Sequence, residues 1–157
     1  METIQTITYA PAYQSDFKRI NLEWISEMFA IEPHDLEQLD HPEAHILPNN
    51  GAILLAKRGD EVLGTVALIN TTKPGDPLEY ELAKMAVSKT ARGLGIGRVL
   101  CEAAVDAARQ AGAKRLWLES NRKAAVAVQL YLSVGFVHIP LRPSPYTRAD
   151  VCMEMIF

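Results

Sequence analysis

Cysteine is nearly absent: Cys101 and Cys152 are the only two in 157 residues, far apart and without C-x-x-C spacing, so neither a disulfide framework nor a zinc site is encoded. Two free thiols suit a reducing compartment, and the cytoplasm is the expected location. An excess of positive charge is missing too. Sixteen Lys and Arg against nineteen Asp and Glu leave a formal charge of −3 and a pI near 5.8. No summed positive field exists to hold a phosphate backbone, and nucleic acid is not an expected partner. The first thirty residues place Glu2, Asp16, Glu23 and Glu27 among their apolar positions. They lack the basic start, unbroken apolar run and small-residue cleavage site of an export signal. With 48% hydrophobic and 22% charged residues, the composition is globular, neither disordered nor membrane-embedded. Linkers, internal repeats and low-complexity tracts are also missing, which leaves residues 1–157 as one domain.

What is present reads as alternating strands and helices. Thr3 to Tyr9 alternates and is rich in Ile and Thr, an opening strand that Pro11 cuts off. From Ser15, a candidate N-cap, Phe17, Ile20, Leu22, Trp24, Ile25, Met28 and Phe29 approximate one helical face. Residues 31–50, with Pro33, Pro42 and Pro48, predict short helical turns, because each proline removes a donor and clashes with the preceding turn. Ala52 to Ala56, a turn at Lys57–Asp60, and Val62 to Ile69 form a hairpin, and Tyr80 to Val87 extends it to a meander. From Gly95 to Ala111 the apolar residues keep a helical rhythm with Gly112 as C-cap. A short strand at Leu116–Leu118, a helix over Lys123–Leu132 ending at Gly135, a strand at Phe136–Ile139 and a closing strand at Val151–Phe157 complete the chain. Strand, helix, strand succession implies some parallel pairing, so the expected fold is one α+β domain.

The chemistry concentrates in Arg92-Gly93-Leu94-Gly95-Ile96-Gly97-Arg98, between a strand and an amphipathic helix. Glycines let the backbone approach a ligand, and the unpaired N–H groups and positive dipole end of the following helix favour a phosphate. The same glycines also suit a tight turn with no ligand. ATP hydrolysis on a Walker loop is disfavoured because Gly97 is followed by Arg98 and Val99, not Lys and Ser or Thr. The G-x-G-x-G spacing after a meander also departs from the dinucleotide fingerprint, although Glu119 sits near the ribose-binding acid's place and leaves a nicotinamide dinucleotide open.

Here the chain resembles the GNAT acyltransferases, whose R/Q-x-x-G-x-G/A signature is met by Arg92, Gly95 and Gly97. Glu81 to Val87 resembles that family's fourth strand, and Leu130-Tyr131 with Gly135-Phe136 its second motif; together these cover residues 79–138. The resemblance implies a three-layer fold: a mixed, mostly antiparallel sheet of about six to seven strands flanked by helices, with a splayed central strand pair. It implies acetyl-CoA as co-substrate, with its pyrophosphate on the backbone of Arg92, Gly93, Leu94, Gly95, Ile96, Gly97 and Arg98. Its pantetheine would run beside Met85, Ala86 and Val87 like an added strand, where a backbone donor near Ala86 or Val87 would stabilise an oxyanion. Tyr131 matches the tyrosine that protonates the leaving sulfur. Glu81 matches the carboxylate that takes the amine proton, with Glu79 and solvent as rivals. An ordinary glutamate pKa of about 4.3 makes a weak base, so burial or a water chain must raise its effectiveness.

One departure is that Ala124 stands seven residues before Tyr131, where many relatives carry Asn; Asn121 takes that role over or caps the helix beginning near Lys123. His34, His41 and His45 with Asp35 and Asp40 meet no ligand spacing, because Pro42 interrupts any shared face, and no metal is expected. His138 follows Gly135-Phe136 as a structural residue or one at a cleft mouth. Arg142, Tyr146 and Arg148 fall where the resemblance places an acceptor pocket, and two guanidinium groups would suit a carboxylate-bearing amine, although a solvated loop before the last strand is the plainer reading of the same residues. The expected function is transfer of an acetyl group from acetyl-CoA to a primary amine of a small molecule or amino acid, directly in a ternary complex, since neither cysteine matches a nucleophile. A peptide or protein amine, and a non-catalytic acyl-CoA-binding module, stand as alternatives. Apolar residues near the closing strand leave room for a homodimer.

Overall fold

A computed structural model describes residues 3–157. Its strands are β1 (Ile4–Thr8), β2 (Ala52–Arg58), β3 (Glu61–Asn70), β4 (Glu79–Val87), β5 (Arg115–Ser120), β6 (Val137–Ile139) and β7 (Val151–Ile156). Its α-helices are α1 (Gln14–Met28), α2 (Pro33–Asp40), α3 (Pro42–His45), α4 (Ile96–Gln110) and α5 (Ala125–Val134). The strands form one sheet in the order β1-β2-β3-β4-β5-β7-β6. β4 and β5, joined by the α4 crossover, are the parallel pair; the other neighbours run antiparallel. The second crossover places β6 beyond β7, because the closing strand inserts between it and β5.

Helices cover both faces. On one, α4 and α5 pack Leu100, Ala104 and Tyr131 against Leu63, Val66, Leu82 and Leu116. On the other, α1 and α2 supply Phe17, Ile20 and Leu39 against Ile53, Leu55, Ala67 and Ala86. Each fully buried Leu, Ile or Phe of these cores contributes about 1.5–3 kcal/mol.

The prolines of residues 31–50 start short helices instead of breaking a long one: Pro33 and Pro42 sit in the first turns of α2 and α3, where the missing N–H has no helical partner anyway. α1 begins one residue before the expected cap, with Tyr13 at the N-cap position and no side-chain cap. α5 begins at Ala125, two residues after the predicted Lys123, because Asn121 first accepts from Lys123 N–H (2.8 Å) through its side chain and from Ala124 N–H (2.9 Å) through its carbonyl. Beside the closing strand, Val137, Leu141 and Ile156 are exposed.

Candidate active site

β4 changes face partway along its length. Leu82 belongs to the core under α4, yet Ala86, of the same parity, belongs to the core under α1. The cause is a bulge opposite Thr65–Ala67, with Lys84 at φ 51°, in the left-handed region. Thr65 Oγ1 donates to the Lys84 carbonyl (2.8 Å) and accepts from Asn21 Nδ2 (3.0 Å), which ties the bulge to α1. The inserted residue brings Lys84 onto the face that carries Glu81.

β4 and β5 pair only from Glu79–Glu81 to Arg115–Trp117. Beyond that, β4 stays bonded to β3 and β5 to β7, so the strands open into a cleft. Two cavities occupy it. A groove of about 630 Å³ runs between the glycine loop, β4, α1 and the start of α5. A cavity of about 120 Å³ lies further in, walled by β4, β5, α1, α5 and the loop before β7. Trp24, Met85, Ala124 and Ala127 wall both, so the two meet end to end.

The groove gathers most of the expected cofactor residues: Met85, Ala86, Val87, Arg92, Gly93, Gly95, Ile96, Gly97 and Arg98 line it. Leu94 is 50% exposed and lies outside the groove lining. Gly93 and Gly95 take φ values of 82° and 77°, and a Cβ there would meet nothing within 4 Å. Backbone conformation therefore demands glycine at both positions, and the space in front of them is open. At Gly97 the demand is contact, since a Cβ would lie 3.3 Å from Leu130 Cδ2. The first intrahelical bond of α4 runs from Val99 N–H to the Gly95 carbonyl (3.2 Å), so the preceding N–H groups have no partner within the helix. Arg92 is held on Glu27 (2.8 and 3.0 Å) over the Trp24 ring, and Arg98 on Ser133 (2.6 Å) and Glu102 (3.2 Å). With both guanidinium groups committed, an anion here is left to backbone N–H groups. A backbone anion cradle, an open strand edge and a long, largely apolar groove match the pyrophosphate, amides and alkyl segments of coenzyme A.

Glu81, Tyr131 and Glu119 all line the inner cavity. Burial, reinforced by Glu119, pushes the Glu81 carboxyl up to about 7, against the pull of Lys84 and Arg142. Tyr131 is 6% exposed, its ring edge-on to Phe136 at 5.9 Å, and burial holds its hydroxyl well above the ordinary tyrosine value. Glu79, the rival base, accepts from Arg115 (2.7 Å) and Thr71 (2.8 Å), which outweigh burial and hold its carboxyl below the usual value. Asn121 lines the inner cavity and not the groove; its side chain also donates to the Arg148 carbonyl (2.6 Å), so both ends of the amide are engaged within the protein.

A cluster with no local sequence signal closes the inner end. Asp35, fully buried, accepts from Lys84 Nζ (2.7 Å), from both terminal nitrogens of Arg148 (2.6 and 2.8 Å) and from Glu32 N–H (2.9 Å). Burial would raise its carboxyl pKa, but the Arg148 and Lys84 bonds outweigh it and hold the group well below the usual range. Tyr146 accepts from Lys84 (3.1 Å), donates to Gln38 (3.3 Å) and lies edge-on to His34 at 5.0 Å. Arg142 lies over the Trp117 ring at 4.5 Å. Tyr146 and Arg148 wall the inner cavity, but Arg148 is committed to Asp35 and Glu32 (3.3 Å) and Arg142 does not wall the cavity, so neither guanidinium stands free at the wall for an acceptor carboxylate. His138, on the exposed side of β6, walls neither cavity.

Residues 16–136 match the model of the acetyltransferase (GNAT) family, and the chain belongs to that family. A Xenopus tropicalis protein named "Probable N-acetyltransferase camello" is 32% identical over 100 residues, covering 64% of this chain and 45% of that protein. The chain thus spans less than half the length of the first curated relatives it matches. The fold superposes on a GNAT-family acetyltransferase from Staphylococcus aureus Mu50 with a TM-score of 0.87 at 22% identity, over 98% of this chain and 99% of that one. It also superposes on a Salmonella typhimurium protein solved with its cofactor acetyl-CoA, with a TM-score of 0.79 at 18% identity, over 98% and 94% of the two chains. The mostly antiparallel seven-stranded sheet flanked by helices is the architecture of these structures. No helix among the described residues is long and apolar enough to cross a membrane.

Proposed function

We propose that the chain transfers an acetyl group from acetyl-CoA to a primary amine by direct attack in a ternary complex. The observation that carries this reading is the meeting of the two cavities: Glu81 and Tyr131 wall a small chamber that opens through Met85, Ala124 and Ala127 into the glycine-loop groove. Residues 92–98 would hold the pyrophosphate on their N–H groups, and the free edge of β4 at Met85–Val87 would bond the pantetheine amides. When bound, acetyl-CoA supplies an acyl carbon on sulfur that is open to a nucleophile.

The protein's own part is to manage two protons. An ammonium must lose one before it can attack, and Glu81, with its carboxyl near neutrality, is matched to take it at physiological pH. A departing thiolate is released more easily when protonated, and Tyr131 keeps its proton until a basic sulfur comes within reach. A covalent route through cysteine is disfavoured by the structure. Cys101 is fully buried with its thiol pushed up to about 12, and Cys152 is buried in β7, away from both cavities.

The test is to incubate the protein with acetyl-CoA and a panel of amines, amino acids and short peptides, and to search for acetylated products by mass spectrometry. Tyr131→Phe should then lower turnover on the order of 100-fold or more while keeping affinity for coenzyme A. Unchanged turnover removes Tyr131 from the mechanism. Acetyl-CoA binding without any acetylated product favours a binding module.

A further inference from the structure

We propose that the acceptor is a small primary amine with no carboxylate beside its amino group, a decarboxylated amine and not an amino acid. This rests on the reading of the inner cavity as the acceptor site, and it comes from the charges that the cavity leaves unpaired.

Two cationic side chains reach the cavity wall, Lys84 and Arg148, and both are consumed. Fully buried Asp35 takes Lys84 at 2.7 Å and Arg148 at 2.6 and 2.8 Å, and Glu32 takes Arg148 again at 3.3 Å. Two cations and two anions make this cluster neutral, and Arg148 is further enclosed by the Tyr146 ring at 4.4 Å and the Phe29 ring at 5.8 Å. No cation on that wall is left to receive a substrate carboxylate.

The carboxylates are in the opposite condition. Glu81 has no hydrogen-bond or ion-pair partner among the described side chains, and Glu119 accepts only from the Ser144 hydroxyl. Glu119 lies two positions beyond Trp117, the register partner of Glu81, so the two acids face the chamber from the two diverging strands. Burial raises the Glu81 carboxyl, and repulsion by Glu119 adds to the rise. An ammonium entering this chamber relieves that repulsion. A carboxylate on the adjacent carbon would bring a further negative charge against Glu81 and Glu119, while Arg142, whose charge reaches Glu81, lies over the Trp117 ring and outside the cavity wall. The rest of the acceptor meets Trp24, Phe29 and Ala127, surfaces suited to an alkyl or aryl body. A chamber of about 120 Å³ favours a small free amine over a chain terminus.

The experiment uses acceptor pairs that differ only in the carboxylate: tyramine and tyrosine, cadaverine and lysine, agmatine and arginine. Coenzyme A release is followed with a thiol reagent, and acetyl-CoA binding is measured separately by calorimetry. We expect at least one decarboxylated amine to be acetylated with kcat/KM ten-fold or more above its amino acid. Glu119→Gln should narrow that ratio several-fold without weakening acetyl-CoA binding. Equal or better use of the amino acids overturns the proposal, as does acetylation confined to an added short peptide, which would assign the site to a chain terminus. Acetyl-CoA binding with none of the six amines turned over overturns it as well. A protein that binds no acetyl-CoA overturns the underlying reading instead.

Discussion

Lys84 Nζ lies 2.7 Å from Asp35 Oδ1, joining the bulge of β4 to α2 through a carboxylate that Arg148, from the loop before β7, also grips with both terminal nitrogens. Three segments that share no local sequence contact thus meet on one buried anion. Removing its charge would leave Lys84 and Arg148 with Glu32 as their remaining anion, an excess of positive charge in a low-dielectric site, which is far more costly than losing an exposed ion pair. Asp35→Asn is therefore expected to destabilise the fold by about 3–5 kcal/mol in urea denaturation. The carboxyl pKa is depressed in the folded state, so the stability it contributes is present above the ordinary carboxylate value of about 3.9 and is lost as pH falls below it. The variant should accordingly show a weaker acid-unfolding dependence than the parent between about pH 4 and pH 2.

The glycine loop makes a different prediction at each position. At Gly95 the backbone is left-handed, and alanine would be strained although nothing stands in its way. Gly95→Ala is expected to cost about 1–2 kcal/mol, or to move the loop and weaken coenzyme A binding. At Gly97 the backbone is helical, and the added methyl would press the flexible end of Leu130. Gly97→Ala should stay within about 1 kcal/mol of the parent, because helix propensity offsets the contact. Thermal denaturation with and without coenzyme A separates the two; equal losses at both positions would mean that steric fit, and not backbone conformation, selects these glycines.

This loop was legible in the sequence because its information is local: spacing, glycine and the following helix lie within a few residues of one another. Tyr131 and Glu81 were legible for the same reason, each by its place in a short motif. The meander and the α4 crossover followed from periodicity and turn residues. The closure of the inner cavity was not, since its bonds span 49 residues between Asp35 and Lys84 and 113 between Asp35 and Arg148. Period-two reading also assigns Lys84 to the wrong face, because one inserted residue at the bulge reverses parity for the rest of β4. The arginines were visible as charge in the sequence, but the partners of Arg148 were not, and they tie it into a neutral cluster with Asp35, Glu32 and Lys84. For Asn121 the bond to Lys123 N–H is local and matches the cap that the sequence offers, whereas its bond to the Arg148 carbonyl spans 27 residues and has no local signal.

The last prediction concerns Glu81 and separates its two consequences, for rate and for stability. As the proton acceptor it must be ionised, so kcat/KM should rise with pH through about 7 and level off above it. Glu81→Gln should lose that limb and fall on the order of 100-fold in kcat/KM. Stability runs the other way. The unfolded carboxyl ionises near 4.3, whereas the folded one holds its proton to about 7. Between those values the native state binds a proton that the unfolded state has released, so stability falls as pH rises through that window. Glutamine carries no such penalty, and the melting temperature of Glu81→Gln relative to the parent should increase from pH 5 to pH 8. A variant that loses the kinetic limb without this relative gain would show that the limb reports the proton acceptor during turnover and not a carboxyl raised in the free protein. One that keeps the limb would show that Glu81 is not the base.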